Sequence, residues 1–541
     1  MSRKPTHTHR GASVAATYLT PGVYVEEVPS GSATLSAGAT AIAAFVGFTA
    51  SAPTDDPNDP EGRKPRLVTS WTQYEQLFGG FLPGAMLPHS VYGWFNNGGG
   101  SCYIVRIPHT TPSEEPATLA LPAPDRAIGM PVEIATKEPN AKIVVQVVAA
   151  EADEDADDDT PPSFDLIVVE NGAEAERHEG VTLGSGDRNV ATVVNAASEK
   201  ITLTQTAELT DELNAALFTL KEGAYPAIPA DPTPVVVPTK EFAGSETART
   251  GINGLVIADD VTMVMVPDLI NAARKEDGSV DLNMWKAVQT SLINHCEAQA
   301  NRIAILDAPP GMSVQQIKEW RSDVAMYDSA FAAMYYPWIK VENPAATGSA
   351  DTEILIPPSG HMAGIWARND DTRGVWKAPA NEIVRGALDV ELPITKAEQG
   401  HLNPIGINCI RPFGTRGIRV WGARTLSSDS DWKYVNVRRL FNMVEKTILD
   451  GTQWVVFEPN DQKLWEGVKR TISSFLRGLW RDGALFGATP DQAFFVKCDA
   501  ETNPPDSIDQ GKLVVEVGIA PVKPAEFVIF RISQFKDLSG A

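Results

Sequence analysis

The sequence predicts a mixed α/β (α+β) chain of several domains: a β-α-β-α-β centre, an inserted β-rich outer module, and extended segments at both ends. Three observations carry this. Strand-like apolar runs alternate with helical stripes from about residue 250, a strongly acidic island occupies 109–245, and β-branched and aromatic runs lie near both termini. The chain has 541 residues, 43% hydrophobic and 8% aromatic, enough for a sizeable core, and about 150 residues per domain gives roughly three to four domains.

The central elements are read from periodicity. Gly254–Pro267 is an apolar run whose Val261, Met263 and Val264 to Val266 predict a buried strand, and Trp285, Val288, Leu292 and Cys296 recur at helical spacing. Arg302–Asp307 predicts a second strand. Ser313 with Gln316 three residues on predicts a capped helix facing inward through Ile317, Trp320, Val324 and Tyr327, and Phe331–Val341 predicts a third strand. That order argues for a parallel sheet covered by helices. Further on, Val437, Leu440, Phe441, Val444 and Ile448 form one apolar helical stripe, with Lys433, Arg438, Arg439 and Lys446 around its polar side; Leu464, Trp465, Val468, Ile472, Phe475 and Leu479 form another.

The formal net charge is −23, and it is unevenly spread: His109–Ser245 holds 25 acidic and 8 basic residues, a net of −17, leaving −6 for the rest. Pro-rich stretches bound this island, and Lys142–Ala149 and Phe164–Glu170 predict short strands inside it. Its run Glu151–Asp159 places Asp153, Asp155 and Asp157 at calcium-loop spacing. Position 6 is Asp158 where Gly is needed and position 12 is Phe164 where Glu is needed, so a solvated loop is the better reading.

Several functions are disfavoured. The acidity argues against nucleic-acid binding, which needs clustered Lys and Arg. No apolar run approaches the ~20 residues that span a bilayer. Met1–Thr17 carries Arg3, Lys4 and Arg10 with no apolar run after them, unlike a secretory signal, and Cys102, Cys296, Cys409 and Cys498 have no C-x-x-C spacing. No cofactor, metal or catalytic motif is found. Asp268 and Asp307 follow predicted strands, where carboxylates of α/β enzymes gather, and either a hydrolytic or metal-dependent site or simple helix capping would place them there. His361 near Ser359 and Asp370-Asp371 has the inventory of a triad without evidence of its geometry.

The ends leave two readings open. Tyr18–Pro29 and Glu526–Phe535 are extended runs, either folded back on their own domain or donated as strands to a neighbour.

A series of motifs runs along the chain. Thr20-Pro-Gly-Val-Tyr-Val-Glu-Glu27, Thr40-Ala-Ile-Ala-Ala-Phe-Val-Gly47, Gly98-Gly-Gly-Ser-Cys-Tyr-Ile-Val-Arg106, Pro357-Pro-Ser-Gly-His-Met-Ala-Gly364, Arg373-Gly-Val-Trp-Lys-Ala-Pro-Ala-Asn381, Val420-Trp-Gly-Ala-Arg-Thr425, Val435-Asn-Val-Arg-Arg-Leu440 and Pro521-Val-Lys-Pro-Ala-Glu-Phe527 stand in order. This series resembles the contractile tail sheath family of contractile-tailed phages and phage-tail-like injection particles, over roughly 18–107 and 250–535. The acidic insert departs from the pattern.

The resemblance implies a structural subunit and no enzyme. It implies stacking with itself in six-membered rings around an inner tube protein, bounded by baseplate and terminator or cap proteins. It implies no nucleic acid, no direct membrane insertion, and assembly in the cytoplasm of the producing cell. Strand exchange falls on Val23, Tyr24, Val25, Glu26, Glu27 and Val28 at one end, and on Phe527, Val528, Ile529, Phe530, Arg531 and Ile532 at the other. The tube contact falls on Lys433, Arg438, Arg439 and Lys446, so that reversing Arg438 and Arg439 should weaken tube binding without unfolding. The expected domains are 1–30 as N-terminal arm, 31–108 as first part of the core, 109–245 as insert, 246–405 as central α/β domain, 406–520 as tube-facing domain and 521–541 as C-terminal arm. Two competing readings remain: an enzyme using Asp268 and Asp307, and a non-contractile structural or adhesion protein whose insert binds a partner.

Overall fold

The computed structural model describes residue 35 and residues 38–531, apart from 54–58, 60–61, 109, 112–116, 123–131, 139–142, 151–162, 171, 185, 206–219, 228–232, 235–236, 276, 345 and 347–351. The N-terminal run Tyr18–Pro29, the acidic run 151–159 and Ile532 therefore lie outside the described residues. Contacts divide the chain into a larger unit, Ala39–Met443 with the chain from Lys523 on, and a smaller one, Val444–Val522 with the chain up to Gly38.

The larger unit is built on an eight-stranded sheet. Its strands are β1 (Ala43–Gly47), β2 (Arg66–Val68), β3 (Cys102–Arg106), β4 (Met263–Met265), β5 (Ile303–Asp307), β6 (Ala332–Tyr336), β7 (Ile407–Pro412) and β8 (Ile418–Val420), ordered β2-β3-β1-β4-β5-β6-β7-β8. Interior pairs are parallel, while β2 and β8 close the edges antiparallel. Because successive side chains point to opposite faces, alternate residues feed two cores. Ala44, Val46, Ala304 and Leu306 join Trp285, Val288, Leu292 and Cys296 on helix Leu282–Gln299. Ala43, Phe45, Ile303 and Ile305 pack on the other face with Val91 and Trp94 of α1 (Leu87–Asn97) and with Ile365 and Trp366 of helix Ser359–Arg373. In chain order these two later helices are α2 (Leu282–Gln299) and α3 (Ser359–Arg373).

Helices α1 and α3 meet backbone to backbone. A Cβ on Gly360 would fall 2.3 Å from the Ser90 carbonyl oxygen, and one on Gly364 2.6 Å from that of Trp94. Only glycine permits such an approach.

The predicted Ser313 capping box is present, with Gln316 as its partner. The helix it opens is shorter than its apolar stripe: Val314–Glu319 passes into a π turn at Trp320–Ala325, leaving Val324 exposed. Gly254–Pro267 is mostly not strand either. Gly251–Gly254 and Leu255–Ile257 are helical turns, and only Met263–Met265 joins the sheet. The third predicted strand is two. Pro337, which has no N–H to donate, separates Ala332–Tyr336 from Ile339–Glu342, and the second piece enters a separate three-stranded sheet with Glu353–Ile356 and Ala387–Val390.

Residues between β3 and β4 form a β-rich module with its own core. A four-stranded sheet (Gly223–Pro226, Ile143–Ala149, Phe164–Glu170, Ala173–Val181) and a three-stranded one (Ile201–Gln205, Val132–Thr136, Thr118–Leu121) enclose Val145, Phe164, Leu166, Val190 and Leu203. At its base Thr110–Thr111 pairs antiparallel with Thr233–Pro234.

The smaller unit contains the second half of α4 (Val435–Gly451), then α5 (Gln462–Arg481), which packs on a two-stranded antiparallel sheet of Phe494–Lys497 and Glu516–Ile519.

Candidate assembly surfaces

The two strand-end carboxylates are structural acceptors. Asp268, buried after β4, accepts from the backbone N–H groups of Phe48 (2.7 Å), Met86 (2.5 Å) and Leu87 (3.2 Å) and from Asn271 Nδ2 (2.9 Å). It thus caps α1, a helix 180 residues earlier, because the first N–H groups of a helix lack intrahelical partners. Asp307 does the same for α3, accepting from the Ser359 N–H (2.8 Å) and hydroxyl (2.6 Å). Burial pushes Asp268 up to about 6 and Asp307 up to about 7, opposed by these hydrogen bonds. His361 lies in the α1–α3 contact and Asp370 is held by Arg439, so the triad inventory is dispersed. No group of three or more His, Cys, Asp or Glu is placed to hold a metal among the described residues.

Arg438 and Arg439 correct the reading of the basic helix face. Both are buried, at 6% and 4% exposure. Arg439 grips Asp370 bidentately (2.8 and 2.6 Å) and donates to the Thr40 carbonyl (2.9 Å). Burial raises Asp370 above the usual carboxylate range even so, with the Arg439 charge opposing it. Arg438 lies 4.3 Å over the Trp432 ring and 4.7 Å over Phe331, and donates to Asn442 Oδ1 (2.7 Å). A planar, weakly hydrated guanidinium tolerates such stacking and burial, which helical periodicity cannot distinguish from a solvated face. Lys446 pairs with Asp450 (3.1 Å), and Lys433 lies 3.9 Å from Glu526.

The C-terminal segment has a firm root followed by an exposed apolar run. Glu526 accepts from Arg424 Nε (2.8 Å) and Nη2 (2.5 Å), Asn403 Nδ2 (2.9 Å) and the Tyr434 hydroxyl (3.3 Å). Burial pushes its carboxyl up, but the hydrogen bonds from Arg424 and Asn403 and the charges of Arg424 and Lys433 outweigh this and hold it below its usual range. One residue later the chain carries Phe527, Val528, Ile529 and Phe530 at 73, 68, 78 and 83% exposure, without a strand partner among the described residues. In extended chain these side chains point alternately, so both faces are apolar, as in a strand buried on both sides. The two-stranded sheet of the smaller unit has open outer edges among the described strands, with Phe495 and nearby Phe486 exposed. Two strands alone are marginally stable and invite pairing.

A basic stripe was missed. Lys463, Arg470, Arg477 and Arg481 share one exposed face of α5 and carry no ion pair among the described residues; Gly467 and Ser474 leave the backbone approachable between them. The spacing of seven, seven and four was legible in the sequence, where only the apolar stripe of that helix was followed. The anchoring pair Arg424–Glu526 had no comparable signal beyond a lone Glu opening an apolar run.

The strand-end acids are spent on capping helices and the C-terminal segment exposes four large apolar side chains; comparison gives the family. The model of the phage tail sheath protein central domain matches residues 264–426, and that of the phage tail sheath C-terminal domain matches 427–535, together half of the chain. The chain belongs to the contractile tail sheath family. It is 26% identical to a tail sheath protein of Vibrio phage KVP40 over 53% of this chain and 45% of the relative, and 28% identical to a putative prophage major tail sheath protein of Pseudomonas aeruginosa over 46% and 61%. The chain thus spans about half the length of the curated relatives it matches. Its fold matches the contracted helical sheath of the anti-feeding prophage (TM-score 0.55, 25% identity, 96% of this chain and 100% of that one). It likewise matches the contracted PVC sheath complex of an extracellular contractile injection system (TM-score 0.54, 25% identity, 96% and 99%). No helix of the described residues is long and apolar enough to cross a membrane.

Proposed function

We propose that this chain is the structural subunit of a contractile sheath, polymerising in stacked six-membered rings around an inner tube and contracting to drive that tube through a target envelope. The observation that carries the proposal is the anchored, exposed apolar segment Phe527–Arg531 together with a sheet of only two strands among the described residues. Donation of the strand into a neighbour's sheet satisfies its backbone groups and covers the exposed aromatics of both partners. A contact of this kind is heterologous and does not close on itself, so repetition produces a helical lattice. Val23–Val28 would supply the corresponding strand from the other end, and Ile532 would extend the C-terminal one.

The inner tube would meet the basic stripe of α5; Lys433 and Lys446, unlike Arg438 and Arg439, are only half-buried. Exposed charge pairs contribute only ~0–1 kcal/mol each, which suits a contact that must release during contraction. The acidic module, net −17, would face outward and keep particles apart. Baseplate and terminator proteins would bound the polymer, assembled in the producing cell's cytoplasm. No enzymatic role is proposed, since the oxygens of Asp268 and Asp307 are occupied by hydrogen bonds from helix N-termini, in the case of Asp307 from both the N–H and the hydroxyl of Ser359.

Negative-stain microscopy of the overproduced full-length chain tests the reading. Tubes or rings are expected, and the chain lacking residues 1–28 should stay folded and dispersed. Discrete subunits from the full-length chain at high concentration would refute polymerisation.

A further inference from the structure

The roots of both arms are held by one continuous piece of chain. Arg424, at its start, clamps Glu526, where the C-terminal segment departs; Arg439, at its end, donates to the Thr40 carbonyl, where the N-terminal segment arrives, while gripping Asp370 of α3. What lies between is braced as a hairpin. Arg424 bridges Tyr434, Thr425 N–H donates to the Lys433 carbonyl (2.9 Å), and the Thr425 hydroxyl donates to that of Trp432 (2.7 Å). Asn408 on β7 fastens its base in both directions, accepting from the Arg424 N–H (2.7 Å) and donating to its carbonyl (2.8 Å). The returning side of the hairpin is pinned to the first turns of α4 by Arg438, stacked on Trp432 while Trp432 meets Phe441 edge-on (4.9 Å). The three arginines therefore divide the work: one clamp at each arm root and a rivet between them.

We propose that Arg424–Arg439 is a yoke that couples the two arm roots, so that displacing one arm changes the hold on the other. Arg424, Arg438 and Arg439 are its positioning residues. The geometry favours coupling over two independent anchors for two reasons. Each clamp contains a bidentate, charge-assisted pair, part-buried at Arg424–Glu526 and buried at Arg439–Asp370, and such a pair is either closed or broken. The connecting element is cross-braced between 424–425 and 432–434 and stacked onto α4 through Arg438. The use of this coupling in an assembled sheath rests on the strand-exchange reading: with each arm held by a different neighbour, the yoke would pass a pull from one neighbour to the next.

Amide hydrogen exchange followed by mass spectrometry on the full-length, unassembled chain tests the yoke apart from that reading. Glu526→Gln should speed exchange about tenfold at its own segment, 523–531, as loss of a charge-assisted hydrogen bond would. It should also speed exchange at 39–43, on the far clamp. The reciprocal variant Asp370→Asn should loosen 523–531, and adding Arg438→Met to Glu526→Gln should confine the effect to the near arm. Acceleration limited to the near arm in both single variants would overturn the yoke. So would a rise extending to α1, which would mean general loosening. Failure of strand exchange would show elsewhere, as absence of an inter-subunit cross-link in polymers with exchange behaviour in the subunit unchanged.

Discussion

Asp307 and Ser359, 52 positions apart, make two hydrogen bonds through one carboxylate: Oδ1 accepts the Ser359 N–H at 2.8 Å and Oδ2 its hydroxyl at 2.6 Å. This ties the end of a central strand to the start of α3. Burial pushes Asp307 up to about 7, from an ordinary value of 3.8. A raised carboxyl means that the folded state binds the proton more tightly than the unfolded chain. Its contribution is therefore complete below about pH 4 and is lost as pH rises through about 7. Asp307 therefore destabilises the subunit between pH 5.5 and pH 8 relative to a side chain that cannot ionise, so over that interval the change in melting temperature of Asp307→Asn should be more favourable than that of the parent chain. The effect is on the order of a few kcal/mol at most. Equal pH dependence in the two proteins would contradict it.

Glu526 runs the other way. Its carboxyl is held below the ordinary 4.5, so the clamp contributes above that value and is lost as pH falls through the lowered folded one. Limited proteolysis near the C-terminus should accelerate on acidification below about pH 4.5, before the core unfolds, and Glu526→Gln should be cleaved rapidly already at pH 7.

Reversing Arg438 and Arg439 should not leave a folded, tube-defective subunit, as a solvated basic face would. Arg439→Glu places a second carboxylate against Asp370, and breaking a buried pair in this way costs about 3–5 kcal/mol. Thermal denaturation of each single variant checks this; an unchanged midpoint would return these residues to the surface. The reversal that spares the fold is Arg470→Glu with Arg477→Glu on α5, which should lower sheath bound to inner tubes in a salt-dependent way.

Gly93→Ala tests the helix pair. Its Cβ would lie 2.2 Å from ring atoms of His361, which is itself buried between α1 and α3. Overpacking of this order costs about 1–3 kcal/mol or more. Calorimetry should record a clear drop in melting temperature.

What was legible in the sequence follows from the range of each interaction. The Ser313–Gln316 box and the Trp285–Cys296 stripe are local, spanning one to three turns, and both appear as read. The apolar run Glu526–Phe535 was also visible, as an extended segment either folded back on its own domain or donated to a neighbour. What stayed hidden is long-range. No spacing rule pairs Asp268 with a helix start at residue 87, or Arg439 with Asp370 and Thr40. A basic residue at a polar helical position gives the same pattern whether it meets water or a buried carboxylate. That β1 and β3 share a sheet with β4 likewise depends on strands separated by the inserted module. Even the strand break at Pro337, visible as a single residue, was outweighed by the apolar character on both sides of it.

The central claim, that subunits are joined by a donated C-terminal strand, is tested most directly by an inter-subunit disulfide. With all four natural cysteines buried, Val528→Cys and Val517→Cys are placed in separate full-length chains, which are mixed, polymerised and oxidised. The account predicts cross-linked dimers between the two chains, formed only under polymerising conditions and abolished by ending the first chain after Glu526. Abundant polymer with no such cross-link, or normal polymer from the truncated chain, would contradict it.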